Sequence, residues 1–586
     1  MNAFADVAVT FASPAPPAAT RLGNRWTLDR EGPGGVWTSA GDAGHGVLRA
    51  GSGRWALWAV GDVFAYRGGA REPLARFGQE LAEGREEPAQ LDAHALVVAW
   101  DEAEHQLHVW VDRRGTVHAY VGGRPGGVRL ATPYAVVAEA SSGALDWVGI
   151  TGFCGFGFYV ADRTPLEDVR ILRPATHTVF DASGRQVSQE RYWDWSFDPD
   201  HARSDEVIVD GFHEVWRATL ARQADDHRVV VPVSGGLDSR TIVGGLTGPS
   251  AAGRVPPALL TYGYSAGSRE IAIARRVARA RGLPIREEVV GAYLFDRLDE
   301  VVGSVEGFSA LTLPRQVAVS ATIAQLGDRA VGGHWGDVWF DTGGAPGEGA
   351  HRDLVGVAFA KFAKRGRGWL LDHVCRPNLG GQDPEELLRE VLREELGRLP
   401  DLGDDDLTLK ALKTEQWSFR WTLASVRAYQ LAVPTLLPFY ADDVVDFFLE
   451  VPSARLAGRR LQKAYLRRHH PDLADIPWQD TGMSLFERPW EPTVALARRA
   501  VAKGVRTLRR RPVVERNWEV QYQGVAGRER LGDLLAEGIE RLPRVDPEGL
   551  GTFITASVEA PGAGAGYALD ALATLAAQLE QGGPGG

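Results

Sequence analysis

The chain has 586 residues, with 65 Lys and Arg against 76 Asp and Glu for a formal net charge of -11, and 44% of its residues are hydrophobic. That length and composition exclude a disordered or fibrous chain and allow several domains around buried cores. The acidic balance argues against nucleic acid as the main partner, and no window reaches the roughly 20 apolar residues that span a bilayer.

Two cysteines, Cys154 and Cys375, stand far apart in sequence, so neither a disulfide framework nor a cysteine-rich zinc site is expected. The first twenty residues lack a basic segment and a long apolar one, and a reducing cytoplasm is the expected location. Glycines and prolines are scattered without a fixed period, which argues against a solenoid.

Up to about residue 195, short apolar runs are broken by Gly, Pro and Asp turns. Leu107, Val109 and Val111 alternate with His108, Trp110 and Asp112, and the DRRG that follows predicts an antiparallel hairpin into TVHAYV. After SFDPDHARSDE the texture changes. HEVWRATLARQA is helical by spacing, VVVPV (229–233) is a buried strand and LDSRTIVGGL a helix. PALLTYGY is a second strand, SREIAIARRVARARG a helix with Ile271, Ala274 and Ala278 on one face, and IREEVV a third strand. This rhythm predicts a parallel sheet with its ligand crevice at the carboxyl ends of the strands. From about 351 the chain reads as mainly helical, and EAPGAGAG near 560 and the terminal GGPGG read as loose.

The first strand-to-helix turn is SGGLDSR (234–240). Gly235 and Gly236 let backbone amides approach an anion, Ser234 and Ser239 offer hydroxyls, and the following helix N-terminus carries about half a positive charge. No GK[ST] follows, so this is not the common P-loop, and it is not GxGxxG. A carboxylate, Asp238, inside a phosphate cradle requires a bridging divalent cation, and magnesium is expected. The plainer alternative is a tight connection.

SGGLDSR after a buried strand resembles the pyrophosphate loop of the adenylating ATP pyrophosphatases, and further ordered blocks resemble the asparagine synthetase superfamily. VVAWDEAEHQLHVWVDRRGTVHAYV and VRILRPATHTVF with RYWDW resemble its N-terminal glutaminase-fold segment. VGGHWGDVWFD (331–341) resembles its second metal loop, and LLPFYADDVVDFFLEVP, GRRLQKAYLRR and DIPWQDTGMSL its C-terminal blocks. The resemblance implies an α/β chain: a degenerate class II glutaminase-like antiparallel β domain (1–197), a parallel-sheet ATP-pyrophosphatase synthetase domain with extra helices (198–495) and a C-terminal helical extension with a loose end (496–586). It implies that Ser234, Gly235, Gly236, Leu237, Ser239 and Gly333 bind ATP and pyrophosphate. Asp238 and Asp337 would hold Mg2+, and Lys463 would stabilise the adenylation and amidation transition states.

Departures from the family sharpen the reading. Its glutaminases place a cysteine directly after the initiator Met, but position 2 is Asn2, whose carboxamide is no comparable nucleophile. Glutamine hydrolysis is not expected, and the amine should come from the substrate. His334 stands where asparagine synthetases carry a Glu and β-lactam synthetases a Tyr. An imidazole of pKa near 6.5 suits deprotonation of a peptide N-terminus, the alternative being a ring packed beside Trp335. Pro434 and Leu436 replace a Glu and an Arg of the amino-acid pocket, and the unmatched stretch 343–410 reads as added helices that shape a larger, more apolar cavity. Arg459, Arg460, Arg467 and Arg468 read as a solvated basic face, as does the helix 497–512.

The closest resemblance is to the lasso-peptide macrolactam synthetases, which implies ATP and Mg2+, a precursor peptide as substrate, and a leader-binding protein and leader peptidase as partners. The alternatives are an asparagine synthetase-like enzyme or β-lactam synthetase acting on a small amino acid, and a nucleotide-sensing pseudoenzyme.

Overall fold

The computed structural model describes residues 4–11, 16–31, 35–41, 46–69, 72–247, 255–265, 267–344, 353–486, 488, 516–522, 524–545, 547–559 and 563–579. Asn2, the basic stretch 497–512 and the GGPGG end lie outside the described residues.

The first part of the chain is built on twelve strands: β1 (Asp6–Thr10), β2 (Thr27–Glu31), β3 (Gly35–Ser39), β4 (Leu48–Ser52), β5 (Trp55–Tyr66), β6 (Leu91–Asp101), β7 (Gln106–Val111), β8 (Tyr120–Gly122), β9 (Arg129–Ala131), β10 (Val169–Ile171), β11 (Thr176–Asp181) and β12 (Gln186–Arg191). They form two antiparallel six-stranded sheets, β10-β8-β9-β1-β3-β2 and β12-β11-β7-β6-β5-β4. Val7 and Val9 of one and Val98, Leu107 and Val109 of the other share a sealed apolar layer. The opposite face of the second sheet is covered by the helix Pro73–Ala82, whose Phe77 meets Trp110 edge-on at 5.4 Å. Both faces of β7 are therefore dry, which is why Trp110 is as buried as its alternating neighbours.

The expected DRRG hairpin is corrected. β7 pairs with β6 and β11, while β8 lies in the other sheet, so the turn carries the chain between sheets. Asp112 organises that crossing, accepting from the amides of Arg114 and Thr116 and from the Thr116 hydroxyl at 2.6 Å. Local alternation specifies a strand but not its partner.

The second part is a fully parallel sheet of β13 (Val229–Pro232), β14 (Ala258–Gly263), β15 (Ile285–Val289), β16 (Arg329–Val331) and β17 (Thr435–Leu436), ordered β15-β14-β13-β16-β17. The chain steps outward from β13 to β15 and then returns to the other side of β13, so the order reverses between β13 and β16. At such a reversal the two loops leaving the strands diverge and open a crevice. The crossover helices carry local start and stop signals. Ser204 caps Asp205–Ala224, and Ser268 and Gly282 bracket Arg269–Arg281, which buries Ile271, Ala274 and Ala278 as the spacing predicts.

In the helices of 343–410, among the described residues, Phe359, Phe362, Leu388 and Leu392 close against Phe156 and Phe158 of the first part in a cluster of their own. One further expectation changes. Not all of EAPGAGAG is loose, because Ala563–Leu579 is a helix whose Leu572 and Leu575 are about 1% exposed or less. Its small residues permit close packing: a Cβ on Gly566 would lie 2.4 Å from the Trp518 ring. Cys154 and Cys375 are free, buried thiols despite their separation in sequence, and the neighbouring Cys375 together with burial pushes the Cys154 thiol up. Among the described residues no helix is long and apolar enough to cross a membrane.

Candidate active site

The loop 233–237 leaves the carboxyl end of β13 and enters the helix Asp238–Thr247, while 332–335 leaves β16 and enters Gly336–Phe340. These two loops flank the point where strand order reverses, and they touch. A Cβ on Gly333 would lie 3.5 Å from Asp238 Cβ, and one on Gly336 would meet the Asp238 carboxyl at 3.0 Å. The contact at Gly333 is an ordinary one, while at Gly336 the lack of a side chain is what admits the carboxylate.

Within the first loop, the Ser234 amide donates to Ser239 Oγ at 3.4 Å and the Gly236 amide to Ser234 Oγ at 3.2 Å. Leu237 is fully buried and anchors the turn, Ser239 is buried, and Ser234 is exposed. A side chain at 235 would force Gln479 to move, since its Cβ would fall 2.8 Å from Gln479 Cβ. Arg240, fully buried, fastens the loop from behind by donating to the carbonyls of Gly235, Leu473, Ile476 and Pro477 at 2.7–3.3 Å. With carbonyl dipoles as its partners, burial pushes its guanidinium down to about 10.

Asp238 and Asp337 are brought together. Asp238 Oδ1 accepts from Gln462 Nε2 at 2.9 Å and lies 3.4 Å from Arg459 Nη1, and Arg459 Nη2 is 3.9 Å from Asp337 Oδ2. Burial pushes the Asp238 carboxyl up to about 6; Arg459 and Gln462 oppose the rise, while Asp337 and Asp480 add to it. Asp337 is the more open of the two, its side chain 58% exposed against 22%. In the second loop Trp335 adopts φ +74, a left-handed conformation that costs a non-glycine residue about 1 kcal/mol. Its indole is held by Thr414 Oγ1 at 3.1 Å, and the next two residues are Gly336 and Asp337.

His334 sits half-buried in the same loop with its ring edge-on to Tyr429 at 6.2 Å, and its Nδ1 is buried without a hydrogen-bond partner. Burial pushes its imidazole down to about 4, which corrects the expectation of a group titrating near 6.5. The ring is neutral throughout the physiological range. Lys463 lies on the helix Arg460–His469 with Nζ 5.2 Å from the Trp478 ring centroid, one residue from the Gln479 that covers Gly235. It therefore borders the cradle.

The residue types fit the expected groups. Mg2+ takes one or two protein carboxylates and completes its shell with phosphate and water, and Asp238 and Asp337 supply that number. Among the described residues no cluster of three or more His, Cys, Asp or Glu could enclose a metal unaided. A glycine turn opening a ten-residue helix suits a polyphosphate.

Arg459, Gln462, Gln479 and Arg240 were not singled out for the site by sequence. Each lies inside or beside a block that was, so adjacency to SGGLDSR, RLQKAYLRR and DIPWQDTGMSL was the available signal. Arg459 corrects the basic-face reading, because its side chain is only 16% exposed. Arg460 and Arg468 remain at the surface, pairing with Asp205 and Asp210, and Arg467 donates to the Leu485 carbonyl.

The fold and site thus define a two-part α/β chain with a glycine turn and a carboxylate pair at a sheet reversal. No family model matches it, and no curated protein matches it by sequence. Among solved structures it is similar to the glutamine phosphoribosylpyrophosphate amidotransferase of B. subtilis complexed with ADP and GMP, at 12% identity and a TM-score of 0.20 over 49% of this chain and 60% of that one. A structure of the allosteric regulatory enzyme of purine biosynthesis is 11% identical, with a TM-score of 0.22 over 50% and 76%. The chain spans 60% of the length of the first, and the functional reading does not rest on either likeness.

Proposed function

We propose that this chain is an ATP-dependent amide synthetase of asparagine synthetase type, which adenylates a substrate carboxylate and closes a macrolactam with the substrate's own amine, as lasso-peptide cyclases do. The observation that supports it best is the approach of Asp238 and Asp337, from loops after adjacent parallel strands, to one guanidinium beside the glycine cradle.

In the first step a carboxylate oxygen bonds to the α-phosphorus as the bond to pyrophosphate breaks. In the second the amine nitrogen bonds to the acyl carbon, AMP leaves, and the nitrogen loses a proton. Ser234, Gly235, Gly236, Leu237, Ser239 and Gly333 form the polyphosphate site. Mg2+ on Asp238 and Asp337 would neutralise charge on the leaving pyrophosphate. Lys463 faces the charge that develops on phosphate and acyl oxygens, an interaction worth several kcal/mol in a dry site. His334 is neutral and offers a ring nitrogen as acceptor for the amine's proton. On this reading the two-sheet region (1–197) is a glutaminase-like remnant beside a synthetase domain (198–495) and a helical extension (496–586). The setting is cytoplasmic, with a precursor peptide, a leader-binding protein and a leader peptidase as partners.

The full chain with ATP, Mg2+ and a precursor peptide bearing a free N-terminus and an Asp or Glu should release AMP and pyrophosphate and yield a product lighter by one water. Release of orthophosphate, or turnover of free aspartate with ammonia in place of the peptide, would overturn the reading.

A further inference from the structure

The mechanism gives Arg459, a half-buried cation beside both carboxylates, no task. Arg459 carries a permanent charge, and its guanidinium lies between the two carboxylates that would hold a metal, 3.4 Å from Asp238 and 3.9 Å from Asp337. Its position is built in. Gly458 and Arg459 have φ +66 and +58, two successive left-handed residues that end one turn and open the helix Arg460–His469. The Gly458 amide donates to Asp341 Oδ1 at 2.9 Å, which ties this turn to the far end of the helix Gly336–Phe340 that carries Asp337. A non-glycine residue held left-handed at such a place marks a conformation the surroundings impose. Trp478 flanks the guanidinium at 6.0 Å and Gln462 Oε1 accepts from it at 3.4 Å, so the side chain is cradled while remaining 16% exposed.

We infer that Arg459 is a displaceable counter-cation: it neutralises the Asp238–Asp337 pair in the free protein, competes with the divalent cation for it, and moves its charge to the polyphosphate when the cation and nucleotide enter. This rests on the adenylation reading of the site. Charge balance supports it. Two carboxylates facing each other repel both one another and a triphosphate, and one guanidinium relieves the first repulsion before binding and part of the second after it. Gln462, fully buried and bonded to Asp238 Oδ1 and Thr241 Oγ1, keeps that carboxylate in place while the arginine leaves.

The test is Mn2+ binding to the full chain without nucleotide, read as free Mn2+ by electron paramagnetic resonance, for wild type, Arg459→Gln and Arg459→Lys. Removing the competing charge should tighten Mn2+ binding about five- to tenfold in Arg459→Gln, a fraction of the Coulomb attraction at this distance. The same variant should show a raised KM for ATP and slower ATP–pyrophosphate exchange. Arg459→Lys keeps a cation and should fall between the two, which preserves the comparison if the Gln variant does not fold. A purely structural role predicts weaker or unchanged Mn2+ binding in both variants, and that result overturns the inference. Exchange in the wild type with no gain in Mn2+ affinity in the variants removes the role of Arg459 alone. Tighter Mn2+ binding in the variants with no exchange in any protein supports the counter-cation and removes the adenylation reading.

Discussion

Asp238→Asn should make the free protein more stable and inactive, and the size of the gain follows from the site. Burial raises the Asp238 carboxyl from 3.8 to about 6, so ionising it in the folded state costs about 3 kcal/mol more than in the unfolded chain, at 1.36 kcal/mol per pH unit. The side chain is 22% exposed and one partner, Arg459, loses a charge to face, so roughly 1–2 kcal/mol should remain. The sign is that of a raised acid. The folded protein binds the extra proton between pH 3.8 and 6, so wild-type stability falls as pH rises through that window and stays lowered above it. Asn carries no such penalty. In buffer with EDTA, melting at pH 8 should place Asp238→Asn about 1–3 °C above wild type, and the offset should shrink as the pH is lowered to 5. Mg2+ and ATP should then raise the wild type and leave the variant unmoved. A variant that melts below wild type at pH 8, or an offset that is the same at pH 5 and pH 8, would refute the assignment of Asp238 as a strained, buried carboxylate.

Gly235→Ala should displace the turn that carries Gln479, since its methyl would fall 2.8 Å from Gln479 Cβ; a loss of about 1–3 kcal/mol by denaturant titration is expected, together with loss of ATP–pyrophosphate exchange. His334→Ala should leave that exchange intact and slow ring closure. Because the imidazole is pushed down to about 4, the wild-type closure rate should show no inflection from this group between pH 6 and 8; a midpoint near 6.5 that disappears in the variant would contradict its burial.

What the sequence made legible is what short-range pattern determines. SGGLDSR after a β-branched run specifies a strand, a tight glycine turn and a helix within a dozen residues, and the structure has all three. The parallel sheet follows from the same rhythm. What sequence could not supply is which strand lies beside which, and the DRRG turn shows the cost: identical alternation serves a hairpin or a crossing between sheets, and only the partners of β7 and β8 decide. Burial is a tertiary quantity too, so His334 kept its solution pKa on paper and lost it beside Tyr429. The same holds for small residues, which in EAPGAGAG suggest looseness until Gly566 is seen to be the contact that lets a helix reach Trp518. Arg459 is the sharpest case. In RRLQKAYLRR four arginines are equivalent by composition, and a helical wheel puts them on a wet face. Two left-handed residues in succession, Gly458 and Arg459, remove the first from the wheel and turn it between two carboxylates. A backbone angle, rather than a side-chain type, separates the arginine in the site from the three outside it.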